Sequence, residues 1–122
     1  MLEIIENILE PIRLPGSHKL EVGNVVSISY DDNFQCVLGN SLKPFGIMVG
    51  PADKWGQILV LNSMAILRLD KYESDSFQSG DFLYCSNKGL LTKYKLHENS
   101  LMLGRVLDPP NALNLGMEIS WI

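Results

Sequence analysis

Cysteine and histidine are scarce, at two residues each in a chain of 122. Cys36 and Cys85 are too few for a disulfide framework and too far apart in sequence for a metal-binding pair. Both have apolar or small neighbours, which reads as buried free thiols in a chain made in a reducing cytosol. His18 in "PGSHKL" and His97 in "KLHENS" lack the H-x-x-x-H or H-E-x-x-H spacing of a metal-binding helix. They read as exposed turn residues, and neither a metal site nor a cofactor is expected. No window approaches the roughly 18 uninterrupted apolar residues of a membrane span. The opening "MLEIIENILEP" carries Glu3, Glu6 and Glu10 and no early Lys or Arg, which is a poor secretory signal. Basic runs are missing as well: ten Lys and Arg are scattered singly against fourteen Asp and Glu, for a net charge of −4. That balance argues against nucleic acid as a partner, because phosphate neutralisation needs a basic face.

What remains is 46% hydrophobic and 20% charged residues, the composition of one folded domain of ordinary size. The first nineteen residues stand apart as an N-terminal arm. Pro11 and Pro15 bracket "IRL" and forbid a continuous helix there. Residues 2–9 fit one or two helical turns or a strand, since periodicity over so short a run does not decide. The aliphatic side chains of this arm need cover. It either folds back as an edge strand or lies on another chain.

From residue 20 onward, short apolar runs alternate with turn signals. "NVVSISY", "FQCVL", "PFGIMVG", "QILVLNSMAILRL", "DFLYCS", "LLTKYKL", "LMLGRVLD" and "GMEISWI" are separated by Gly, Pro, Asn and Asp. Such punctuation predicts strands joined by tight turns, hence an all-β domain over residues 20–122, a small β-barrel or sandwich. A faint internal duplication is present. "EVGNVVSIS" resembles "QSGDFLYCS", "FGIMVGP" resembles "LGRVLDP", and "GQILVLN" resembles "GMEISWI", with matching glycines 57, 58 and 60 residues apart. The order and spacing predict two β-meanders about a pseudo-two-fold, closing one barrel.

No constellation of catalytic residues emerges. "SGDFLYCSNKGLLTK" (79–93) combines acid, thiol, base and glycine, yet every residue has a place in a hairpin. Phe82 and Tyr84 face one side, Leu83 and Cys85 the other, and Asn87-Lys88-Gly89 makes the turn. Asp70, Glu73 and Asp75 lack the D-x-D-x-D-G pattern of a calcium loop and read as a solvated acidic loop. A pairing of Cys36 or Cys85 with His97 as a thiol nucleophile has no local support. No G-x-G-x-x-G or P-loop run is present, so enzymatic activity is not expected. Trp55 and Trp121 are candidates for a ligand platform, but Trp121 lies in the closing strand and reads as core.

The ordered elements Gly23-Asn24, Pro44 to Gly46, Gly56 to Leu61, Gly80 to Tyr84, Gly89 to Thr92 and Gly104 to Leu107 resemble those of a known family. They are similar to the capsid decoration, or cement, proteins of tailed-bacteriophage heads. The longer apolar strand around Met64 to Leu69 departs from the briefer one in many of those proteins. The resemblance implies a non-enzymatic, homo-oligomeric β-barrel, a trimer ahead of a dimer, made in the host cytoplasm and located on the capsid exterior of the virion. It implies the major capsid protein as partner and a head stabilised by bridging of capsid subunits. The arm is then the anchor, through Ile4, Ile5, Ile8, Leu9, Ile12, Arg13 and Leu14, with Arg13 meeting an acid on the partner. The alternative is a head- or tail-fibre-associated β-module that binds a receptor or glycan with the loops around Trp55 and Tyr72.

Overall fold

A computed structural model describes residues 1–73 and 76–122, so Asp75 of the acidic loop lies outside the described residues. The chain is all-β, with two antiparallel sheets and, among the described residues, one 3-10 turn, Tyr30–Asp32. Strands run β1 Leu2–Asn7, β2 Ile12–Pro15, β3 Val25–Ser29, β4 Gln35–Leu38, β5 Gly46–Gly50 and β6 Gln57–Leu61. They continue as β7 Ala65–Leu69, β8 Phe82–Cys85, β9 Leu91–Thr92, β10 Gly104–Asp108 and β11 Met117–Trp121. The six-stranded sheet has the order β1-β7-β11-β10-β8-β9, and the five-stranded sheet β2-β6-β5-β3-β4.

With β1 set aside, the two sheets have one topology. The order β2-β6-β5-β3-β4 maps onto β7-β11-β10-β8-β9. Backbone hydrogen bonds repeat with it. The Phe45 amide donates to Val26 O at 2.8 Å, and the Leu103 amide donates to Leu83 O at 2.7 Å. A bulge falls between Met48 and Gly50 opposite β6, and another between Val106 and Asp108 opposite β11. Gly46 and Gly104 occupy equivalent positions where strands approach closely. A Cβ would meet the Leu61 carbonyl oxygen at 2.7 Å in the first case and would run into the Ser120 carbonyl oxygen in the second.

The register corrects one detail of the predicted duplication. Ile47 pairs with Leu61 as Arg105 pairs with Ser120, so β6 and β11 are offset by 59 residues and not 60. One residue matters because side chains alternate across a strand. At 59, the buried Ile58 and Val60 match the buried Met117 and Ile119; at 60 they would match half-exposed positions.

The two meanders do not close one barrel. Strand ladders stay within each meander, and each curls until the chain just beyond its first strand touches its third. Isolated parallel bridges mark these contacts, Gly16 with Cys36 and Tyr72 with Leu91. Two packed sheets, a small sandwich, result. Nor is the contact between them two-fold in character. Val25, Ile47 and Leu61 of the five-stranded sheet enter the main core with Leu67, Leu83 and Ile119. Their equivalents, Phe82, Arg105 and Ser120, stay outside it. A two-fold would bury equivalent positions on both sides. A second core inside the five-stranded sheet gathers Leu20, Val26, Cys36, Met48, Ile58 and Val60.

The hairpin at residues 79–93 forms as expected. Leu83 and Cys85 are buried, Phe82 is exposed, and Gly89 turns the chain at φ +68°. No helix among the described residues is long and apolar enough to cross a membrane.

Candidate partner-binding surface

The arm folds back as edge strands of both sheets. β1 pairs with β7 on the outer edge of the six-stranded sheet, and β2 pairs with β6 on the edge of the five-stranded one. The residues between them pass from one sheet to the other. In β1, Leu2 and Ile4 turn inward onto the main core. The register then slips between Ile4 and Glu6, so Ile5 is an extra residue with no partner on β7. A bulge of this kind re-aims a side chain, and Ile5 is 46% exposed. Beyond the strand, Ile8 is 69% and Leu9 61% exposed. Their turn is held by Asn7 Nδ2 donating to Leu9 O at 2.9 Å and by the Ile8 amide donating to Met64 O at 3.3 Å. Ile12 is also exposed, while Leu14 packs on the second core.

The seven arm residues therefore divide by position. Ile5, Ile8, Leu9 and Ile12 present apolar surface to solvent, whereas Ile4 and Leu14 are occupied by the protein's own cores. Arg13 is engaged internally, with Nη1 at 3.2 Å from Asp53 Oδ2.

Ile8 forms one wall of a groove of about 360 Å³ at the end of the six-stranded sheet. Glu6, Met64, Ile66, Trp121 and Ile122 also line it. Met64, Ile66 and Ile122 were not singled out from sequence. The alternation "AILRL" places Ile66 opposite Leu67 and leaves it needing cover, which was the available signal. Trp121 is buried as predicted, and neither its Nε1 nor Ser63 Oγ has a hydrogen-bond partner among the described residues.

The other candidates do not converge. Cys36 and Cys85 are buried free thiols, and burial pushes both up, Cys85 to about 12. His18 and His97 are exposed, and the His97 amide donates to Ser100 Oγ within a turn. Asp70 accepts from the Met1 amino group at 2.9 Å, and that hydrogen bond lowers its carboxyl below the usual range. The Glu73 amide donates to Leu91 O, so its backbone belongs to the sheet closure. Among the described residues no group of three or more His, Cys, Asp or Glu could hold a metal ion. Trp55 is 75% exposed, with Lys54 Nζ 4.9 Å from its ring centroid. Tyr72 is tied down: its hydroxyl donates to Leu115 O at 3.0 Å, and its ring meets Phe77 edge-on.

Comparison with protein-family models, with curated proteins and with solved structures returned no match.

Proposed function

We propose that this protein is a non-enzymatic structural component of a tailed-phage virion. In this reading it binds the outer capsid surface and stabilises the head by bridging subunits of the major capsid protein. The observation that carries the reading is the row of exposed aliphatics Ile5, Ile8, Leu9 and Ile12 on an arm spanning the edges of both sheets. A soluble protein seldom exposes clustered aliphatic surface without a partner for it. The arm is already held in place as two edge strands joined by a hydrogen-bonded turn, so docking does not carry the backbone-ordering cost of roughly 1–2 kcal/mol per residue. Many weak contacts repeated over a symmetric shell give avidity without any single tight one. The same repetition suits a homo-oligomer, a trimer before a dimer.

The test is cosedimentation with expanded, undecorated heads. Deletion of residues 1–15 is a poor control, because it strips an edge strand from each sheet. The double variant Ile8→Glu/Leu9→Glu changes only exposed side chains and should keep the native thermal transition. Saturable binding by the native chain, lost in that variant, is the expected result. No binding by the native chain would sink the reading.

A second reading, a receptor- or glycan-binding module, draws support from the exposed Trp55. There Trp55→Ala, and not the arm variant, would abolish binding.

A further inference from the structure

The groove at the Ile8 end of the six-stranded sheet is apolar, yet the arm beside it is acidic. Glu3, Glu6 and Glu10 lie on it, and no Lys or Arg occurs before Arg13. Arg13 is already on Asp53. Arg68 pairs across the strands with both Glu3 and Glu118, but its guanidinium goes to Glu118 at 3.0 Å. None of the ion pairs among the described residues involves Glu3, Glu6 or Glu10. Glu6 is the one charged side chain in the groove's lining and takes part in none of these ion pairs, so the groove disfavours a partner of like charge and favours a cationic one.

We propose that this groove takes an extended segment of a partner protein in which a large aliphatic side chain is flanked by Lys or Arg. The aliphatic residue enters between Ile8, Met64, Ile66 and Ile122, and a flanking cation lies against Glu6, itself part of the lining. The volume of about 360 Å³ holds one or two such side chains and not a folded element. This inference rests on the reading of the arm as a partner-binding surface and adds the chemistry of what it binds.

The probes are two synthetic peptides, acetyl-Lys-Val-Leu-Val-Lys-amide and acetyl-Glu-Val-Leu-Val-Glu-amide, added to the full-length ¹⁵N-labelled chain. The Trp121 indole signal reports from the groove wall; Trp55→Phe identifies the other indole. The basic peptide is expected to move the Trp121 signal saturably, at least tenfold tighter than the acidic one at low salt. That preference should shrink as salt screens it. Glu6→Lys should remove or invert the preference, and Ile66→Lys should abolish the shift while the thermal transition persists.

Three results would overturn the proposal: no shift at Trp121, equal affinity for the two peptides, or a preference untouched by Glu6→Lys. A Trp121 shift that depends on dilution of the protein alone would make a second copy the occupant, which also overturns it. A chain that binds heads but ignores both peptides keeps the capsid reading and loses this one. A chain that binds the basic peptide but not heads does the reverse.

Discussion

The Gly80 amide donates to the Val106 carbonyl at 2.7 Å, and the Val106 amide donates to the Asp81 carbonyl at 2.9 Å. In the other sheet, Gly23 and Met48 make the first of these bonds at 2.8 Å and Met48 and Asn24 the second at 2.9 Å. The turns that lead into β8 and β3, 57 residues apart, are thus built alike to within a tenth of an ångström. Each requires its glycine to adopt positive φ, +94° at Gly80 and +99° at Gly23.

Gly80→Ala is therefore expected to cost about 1–3 kcal/mol from backbone strain alone. Space is not the reason, since the nearest atom to an added Cβ is Arg105 Nη2 at 3.7 Å. Gly23→Ala should cost as much or slightly more, because its Cβ also meets the Lys71 side chain at 3.2 Å. Urea denaturation of the two variants measures this. A loss below about 0.5 kcal/mol in either would show that the turn relaxes to negative φ.

How much of this was legible follows from the range over which each signal acts. The Gly-led turns and the alternation of Phe82 to Cys85 are local, and the structure forms them as the sequence predicts. The duplication was readable because its glycines mark turns. Its last step was misaligned by one residue because "GQILVLN" and "GMEISWI" match in letters, not in the faces their side chains take. Residues 2–9 were undecidable because their state depends on β7, more than fifty residues away. The groove at Ile8 was hidden for the same reason: Met64, Ile66 and Ile122 meet it only through sheet pairing. The two-fold expectation failed at Arg105 and Ser120, whose polar side chains mark a face that the other sheet does not cover.

The turns before β3 and β8 should respond differently to exchange of their capping residues. Asp81 Oδ2 accepts the Gln78 amide at 2.8 Å, and Asn24 Oδ1 accepts the Glu21 amide at 2.8 Å. Both bonds need only an acceptor oxygen. Asp81 is half-buried, so Asp81→Asn should change stability by less than about 0.5 kcal/mol. Asn24 is 5% exposed, and Asn24→Asp places a carboxylate in that buried site, where the nearby Lys71 is already paired with Glu21. That should cost about 1–3 kcal/mol at neutral pH. Burial raises the pKa of such a carboxyl, so the deficit should narrow as pH falls towards 4 and the group protonates. Thermal melts of both variants at pH 7 and pH 4.5 give the comparison; equal deficits at the two pH values would rule out the charge explanation.

Cys85 connects the core to alkaline pH. Its side chain is fully buried, Sγ donates to the Ser86 carbonyl at 3.2 Å, and burial pushes the thiol to about 12 from an ordinary value of 9.0. In the unfolded chain the thiol ionises near that ordinary value. Below that pH both states hold the proton, and the contribution of the neutral thiol to stability is complete. Above it the unfolded state loses the proton while the folded state keeps it, so stability falls as pH rises towards 12. Cys36, also raised by burial, acts in the same direction. One such proton gives a slope of at most about 1.4 kcal/mol per pH unit. The native chain should therefore lose stability faster than Cys85→Ala between pH 9 and 11, even though the variant starts lower because of the cavity it leaves. Urea midpoints at pH 8, 9, 10 and 11 separate the two effects, since the cavity offset does not vary with pH. Parallel curves would mean that the native fold admits a Cys85 thiolate.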